Sequence, residues 1–493
     1  MTSPDDNATA SETLFRTFAE QWLACVKQAN QVTQQACGRL EGSADPRAWR
    51  RQWFDALSGG TDAYLRSPPF LRMMKAHIDA LIQLKQSERH GAANSPSDAA
   101  TASALATLSK RIAEVETTLR SRLEQLEQRV AALENAPQPA TGEDAGWERF
   151  LDVLRVRRSA AESMMGVTPH EVVYTEGTLR LLRYKTPSVR FAEPILICFA
   201  LVNRPYIMDL QAERSVVRQL LARGFDVYLI DWGIPAPADH SLRLEDYVGR
   251  LLRNVVEFVC HYAQAAQLNL LGYCMGGTMA VMYTALYPAR VRNLILMAAP
   301  IDFGGEQGLL NLWARAENFD VDKLIDAYGN CPGEFLQYCF QLMKPVQNFA
   351  EKYLTFCDKL DDEAFLENFF ALERWASDCI PVAGETFREY VKSLYQQNRL
   401  IQGRMSLGGA PIRLDAITCP LLILVAEHDH LVPPSSTLAL ETHVRSRDVQ
   451  SMSLSVGHIG LAVSSKAQRD LWPRAAEWIA AHSTAITFPE TLP

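Results

Sequence analysis

The run Gly272-Tyr273-Cys274-Met275-Gly276-Gly277 sets a cysteine between glycines, behind the apolar stretch Leu268 to Leu271 and ahead of Met275 to Leu286. Read as strand, sharp turn and helix, it forms a nucleophile turn with cysteine where serine is the usual occupant. A residue on such a turn takes strained dihedrals. Gly272 and Gly276 answer that need, because side chains there would crowd the turn. The thiol would sit at the N-terminus of the following helix, whose dipole favours a thiolate. The Met275 N–H would point at an oxyanion forming on a substrate carbonyl. The alternative is a buried structural cysteine beside a glycine turn.

Two further residues decide between those readings. Asp429 lies in Ala426-Glu427-His428-Asp429-His430-Leu431-Val432-Pro433, just past an apolar run, and His458 lies in Val456-Gly457-His458-Ile459-Gly460, past the last one. Nucleophile, acid and histidine in that chain order are similar to α/β-hydrolases. His458 would act as base, with Asp429 orienting and polarising its ring. Asp302, after Ala299-Pro300, is a weaker alternative acid. His428 and His430 flank Asp429, but two histidines on a loop with no further cluster are weak evidence for a metal, and no metal site is expected.

The elements that must carry these residues read as α/β. Expected strands are Ile195 to Leu201, Val227 to Ile230, Leu268 to Leu271, Leu294 to Met297, Leu421 to Val425 and Met452 to Leu454. Helical patterns fall between them, at Arg214 to Arg223 (ended by Gly224), Leu244 to about Ala265 and Met275 to Leu286. The alternation implies a doubly wound sheet with right-handed crossovers. Residues 302–413 interrupt it with an aromatic-rich, mostly helical stretch, expected to cap the sheet's carboxyl edge.

Upstream the chain changes character. Residues 1–90 read as helical, with an apolar face at Leu14, Phe15, Phe18, Trp22 and Val26 inside Ser11 to Leu40. An aromatic cluster follows at Trp49, Trp53 and Phe54, which Gly59-Gly60 is expected to break. Ser67-Pro68-Pro69-Phe70 then leads into a helical stretch to about Arg89. Residues 91–104 are a linker by composition. Over 105–135 apolar residues fall at Leu105, Leu108, Ile112, Val115, Leu119, Leu123, Leu126, Val130 and Leu133, spaced 3, 4, 3, 4, 4, 3, 4, 3. That is a heptad stripe with one stutter, expected to be a coiled-coil helix that self-associates or docks on a partner. Residues 136–146 are a second linker, and 147–493 form the expected catalytic domain.

Composition narrows the function classes. Of 493 residues, 48% are hydrophobic and 22% charged, which excludes a wholly disordered chain. A net charge of -8 and a pI near 5.8 offer no basic excess for nucleic acid. No apolar run reaches the roughly 20 residues of a spanning helix. No basic or apolar leader opens the chain, so no secretory signal is expected. Ten cysteines without a C-x-x-C pair give no zinc or redox motif, and reduced thiols in a cytoplasmic chain are expected.

From about Pro169 to Ala480 the sequence resembles the catalytic subunit of poly(3-hydroxyalkanoate) synthases, most closely the two-component class III type. The residues that carry the likeness are the Cys274 box, Leu201-Val202-Asn203-Arg204-Pro205-Tyr206, Asp231-Trp232-Gly233 and Pro300-Ile301-Asp302-Phe303. Ala383-Gly384-Glu385-Thr386-Phe387-Arg388, Asp429-His430-Leu431-Val432-Pro433-Pro434 and Gly457-His458-Ile459-Gly460 add to it. The resemblance implies an α/β-hydrolase fold, Cys274 as acyl-bearing nucleophile, His458 as base and Asp429 as its partner, with Val202 giving the second oxyanion N–H. It implies an acyltransferase that polymerises (R)-3-hydroxyacyl-CoA, with 3-hydroxybutyryl-CoA the expected member, and releases CoA without a cofactor. Its implied partners are the growing polyester, a granule surface and a second copy of the chain in a homodimer. The class III catalytic subunit begins near Trp147, and the residues before it look like a shortened form of that family's separate accessory subunit. Two rival readings share the box: a Cys-triad thioesterase or other hydrolase, and a non-catalytic granule-binding scaffold.

Overall fold

Short, uninterrupted apolar runs build the interior of an eight-stranded sheet. The computed structural model describes residues 46–91, 165–166, 168–186, 188–305 and 308–486. The expected helix Ser11 to Leu40, most of the first linker, the heptad stripe Leu105 to Leu133 and the second linker lie outside these residues. The chain divides into two compact units, one of Met1–Tyr64 with Arg72–Val156, the other of Leu65–Leu71 with Arg157–Pro493.

The strands of this sheet, all in the second unit, are β1 (His170–Glu176), β2 (Leu179–Tyr184), β3 (Ile195–Cys198), β4 (Val227–Asp231), β5 (Leu268–Tyr273), β6 (Val291–Met297), β7 (Leu421–Ala426) and β8 (Val449–Leu454). Their order across the sheet is β1-β2-β4-β3-β5-β6-β7-β8. From β4 to β8 all pairings are parallel, and every residue of β3, β4, β5 and β7 is buried. Parallel strands covered on both faces need such continuous apolar sequence. β1 and β2 form an antiparallel hairpin that pairs against β4. This hairpin was not among the expected strands. Its signal is the alternation in HEVVYTE and LRLLRY around Gly177, which turns at φ 59.

Helices clothe both faces. Val216–Arg223 is capped by Ser215, whose hydroxyl accepts from the Arg218 N–H, and it stops at Gly224 in the left-handed region. It packs beside Trp472–Ala481. Helix Met275–Leu286 packs on β5 and β6 and against the π-helical turn Asp246–Leu252 that precedes Arg253–Tyr262. At the strands' N-terminal ends the buried Asn293 amide donates to Asn269 Oδ1 at 2.7 Å, and Asn269 donates to the Glu193 carbonyl at 3.0 Å. These bonds satisfy polar groups that burial would otherwise leave unpaired.

Between β6 and β7 the chain leaves the sheet for an insertion of short helices: Leu309–Trp313, Val321–Tyr328, Gly333–Leu342, Lys352–Asp358, Glu363–Ala376 and Gly384–Glu389. Asp320 and Asp362 cap two of them by accepting the Lys323 and Phe365 N–H groups. Leu65 and Phe70 are buried within this unit. The Trp313 indole donates to the Leu65 carbonyl at 3.1 Å, and the Phe70 and Trp313 rings lie 5.9 Å apart.

Helix Pro46–Leu65, of which all but the last residue belongs to the first unit, runs through Gly59-Gly60 without a break, which corrects the sequence expectation. Each glycine costs only about 1 kcal/mol in a helix interior, which weakens the helix without obliging it to stop. The break comes at Ser67, where Pro68 and Pro69 open the next helix, Pro68–Gly91, with prolines in its first turn.

Candidate active site

β5 ends at Tyr273, and the next helix starts at Met275, leaving Cys274 alone to turn the chain. It does so at φ 52, ψ -128, a strained conformation for a residue with a Cβ. The strain is held by bonds on both sides: the Cys274 N–H donates to the Met297 carbonyl at 3.0 Å, and its own carbonyl accepts from Gly277 at 2.8 Å. The flanking glycines are steric necessities. A Cβ on Gly272 would lie 2.4 Å from the Gly277 Cα, and one on Gly276 would lie 2.2 Å from the Cys198 carbonyl of β3. Cys274 is half-buried, whereas Tyr273 and Met275 on either side of it are buried.

Asp429 stands three residues past β7, nearly buried. Its Oδ1 accepts the Leu431 and Val432 N–H groups at 2.9 and 2.8 Å, which fixes the carboxylate. Its Oδ2 is 2.7 Å from His458 Nδ1, on the loop past β8. On the other side the Cys274 sulfur lies near enough to act on the charge of the imidazole. Burial pushes the imidazole down, but the Asp429 carboxylate with its hydrogen bond and the nearby Cys274 sulfur outweigh it and raise His458 to about 10. The sequence thus brings Cys274, His458 and Asp429 into one chain of contacts across three strand ends. Asp302 does not partner the imidazole. Its Oδ1 accepts from the Asn398 amide at 2.7 Å and the Gly304 N–H at 2.9 Å.

Met275 occupies the first helical position, whose N–H has no intrahelical acceptor. Val202 lies in the loop after β3, and its N–H has no acceptor among the described residues. His428 is 2.9 Å from the Ser455 hydroxyl and exposed. Among the described residues no group of three or more His, Cys, Asp or Glu side chains is placed to hold a metal ion. No helix among them is long and apolar enough to cross a membrane.

Some residues of the site were not singled out from sequence. The Tyr273 ring stacks on His458 with centroids 5.1 Å apart and planes 28° apart, backed by Phe199. The only sequence signal for it is its place next to the nucleophile. Tyr390 approaches the Thr278 hydroxyl at 3.2 Å, while Phe303 packs edge-on against Tyr390 and Tyr395. Burial, first, and proximity to Cys274 raise both tyrosines, so they stay neutral phenols beside the thiol.

This geometry meets a clear set of relatives. The profile of the alpha/beta hydrolase fold matches residues 193–451, and that of the poly-beta-hydroxybutyrate polymerase (PhaC) N-terminus matches residues 158–220. A poly(3-hydroxyalkanoate) polymerase subunit PhaC of Haloferax mediterranei is 47% identical over 350 residues, 69% of this chain and 71% of the relative. The chain belongs to the poly(3-hydroxyalkanoate) polymerase family. The PhaC subunit of Allochromatium vinosum is 43% identical over 342 residues, 67% of this chain and 96% of its own length, and that of Synechocystis is 44% identical over 341 residues. At its strand-to-helix turn the chain carries Cys274 where serine is the usual occupant of such an element.

Proposed function

We propose that this chain is an acyltransferase that polymerises (R)-3-hydroxyacyl-CoA, with 3-hydroxybutyryl-CoA the expected substrate, through an acyl group carried on Cys274. The observation that carries the reading is the thiol at the strained turn with His458 close by, the imidazole held on its far side by Asp429. In the first step the Cys274 thiolate adds to the thioester carbonyl. The oxyanion is stabilised by the Met275 and Val202 N–H groups. The C–S bond to CoA breaks, and His458 gives its proton to the departing CoA sulfur. Thioester is exchanged for thioester, so the activation is kept and no cofactor is required.

In the second step the 3-hydroxyl of an incoming 3-hydroxyacyl-CoA attacks the acyl carbonyl on Cys274, and the lengthened acyl-CoA so formed returns to Cys274 by the first step. His458 takes the hydroxyl proton as the C–O bond forms, then returns it to the Cys274 sulfur as the C–S bond breaks. The electrostatics suit this order. The Cys274 charge is one of the causes that hold a proton on His458. Acylation removes that charge, so the imidazole becomes free to act as base when the alcohol needs one. The insertion between β6 and β7 serves to exclude water, which would otherwise hydrolyse the acyl-enzyme.

The residues before Trp147 act as a fused counterpart of the family's accessory subunit, and the working particle is a homodimer at a polyester granule in the cytoplasm. The test adds 3-hydroxybutyryl-CoA to purified chain and follows free CoA and turbidity together. Polymerisation gives both. CoA without turbidity identifies a thioesterase and overturns the proposal, and neither signal identifies a scaffold.

A further inference from the structure

The loop Leu201–Tyr206 is held by the insertion rather than by the sheet alone. Four bonds run from it to the short segment at the end of helix Glu363–Ala376 and just beyond. The Trp375 indole donates to the Arg204 carbonyl at 2.8 Å. The Tyr206 hydroxyl donates to Asp378 Oδ2 at 3.0 Å. The Ile380 N–H donates to the Val202 carbonyl at 3.4 Å. The Asn203 amide reaches the Cys379 sulfur at 3.8 Å. Trp375, Ile380 and Asn203 are buried, while Arg204, Tyr206, Asp378 and Cys379 are half-buried.

On the other side of the same segment, Val382 and Cys331 exchange backbone bonds at 2.9 and 3.0 Å. Cys331 directly precedes helix Gly333–Leu342, and Gly333 backs so closely on Cys379 that a Cβ there would lie 2.8 Å from its carbonyl. The segment Trp375–Val382 is therefore a strap with the loop after β3 on one edge and the insertion's helices on the other. Val202 is clamped from both directions. Buried Phe199, Ala200 and Leu201 precede it, with the Phe199 carbonyl accepting from the Trp232 indole at 2.9 Å, and the strap holds its own carbonyl.

We infer that Trp375, Tyr206 and Asp378 are positioning residues that aim the Val202 N–H at the substrate oxyanion, so that the seating of the insertion switches this donor on. The inference rests on Val202 being the second oxyanion donor. Thiol chemistry that forms no oxyanion is indifferent to the strap. Carbonyl chemistry is not, because a preorganised donor supplies on the order of a hundredfold or more in rate.

The experiment compares two reactions of Cys274 in the full chain: alkylation by iodoacetamide, and single-turnover CoA release from 3-hydroxybutyryl-CoA. Trp375→Phe removes the indole N–H together with part of the ring, Tyr206→Phe removes the hydroxyl donor of the second bond, and Asp378→Ala removes its acceptor. Each variant should slow CoA release about tenfold, and Trp375→Phe combined with Tyr206→Phe more, with alkylation within twofold of the native rate. Equal slowing of both reactions in all three variants means general damage and overturns the inference, as does native CoA release in all three. Val202→Pro, which deletes the N–H itself, separates the two levels. If it releases CoA slowly while the strap variants are native, the strap inference alone fails. If it releases CoA at the native rate with normal alkylation, the Val202 assignment fails, and the inference with it.

Discussion

His458 is asked to do different work in the two half-reactions, and single substitutions can separate them. A thiol ionises far more readily than an alcohol, so acylation tolerates a poorly oriented base better than elongation does. Asp429→Asn should therefore still release one equivalent of CoA quickly, while steady-state elongation falls by two or more orders of magnitude. His458→Ala should lose both. Equal losses for Asp429→Asn in rapid-quench acylation and in elongation contradict this division. The same imidazole sets a pH signature. Its pKa rises from about 6.5 to about 10 on folding, so its stabilising contribution is complete below about pH 6.5 and drains away as pH rises towards 10. The melting temperature of the native chain, relative to His458→Gln, should decline steadily across that window. A difference that stays constant from pH 6.5 to 10 rules it out. At this scale Cys274, Asp429 and His458 were legible because chain order and flanking strands fix their positions. Tyr273 against His458 and Asn203 against Cys379 were not, since each pair meets only through tertiary packing across long sequence separations.

The strand-turn-helix element around Cys274 stores strain that its neighbours hold in place. Gly276→Ala would drive a Cβ to 2.2 Å from the Cys198 carbonyl, and backbone on both sides cannot give way cheaply. A cost of roughly 1–3 kcal/mol or more follows, with loss of activity, read as a lower urea midpoint. An unchanged midpoint would show that β3 is not packed against this turn. Elements were legible in sequence where one period dominated, as in the fully buried runs of β3, β5 and β7. The hairpin of β1 and β2 was missed because its half-buried alternation around a single glycine is a weaker signal than a buried run. Gly59-Gly60 misled in the other direction, because glycine weakens a helix without obliging it to stop.

On the scale of the whole chain, the proposed role of the region before Trp147 is association rather than chemistry. Its heptad stripe was readable as pattern, but pattern alone does not name the surface that covers it. Burying a leucine is worth roughly 1.5–3 kcal/mol, so Leu119→Asp with Leu126→Asp should weaken association by several kcal/mol, measured by sedimentation. Polymerisation should fall with it while Cys274 stays reactive to iodoacetamide. Removing residues 1–140 should do the same, with partial recovery when that segment is added back. A truncated chain that polymerises at full rate without a lag assigns the region to localisation instead.

The central claim is that the growing polyester is carried on one sulfur. The most direct measurement is rapid quenching of the full chain with 3-hydroxybutyryl-CoA, followed by peptide mass spectrometry. The peptide containing Cys274 should carry a hydroxybutyryl group that hydroxylamine removes, and Cys274→Ala should carry none and make no polymer. An unmodified Cys274 peptide during active turnover, or polymer formed by Cys274→Ala, would contradict the account.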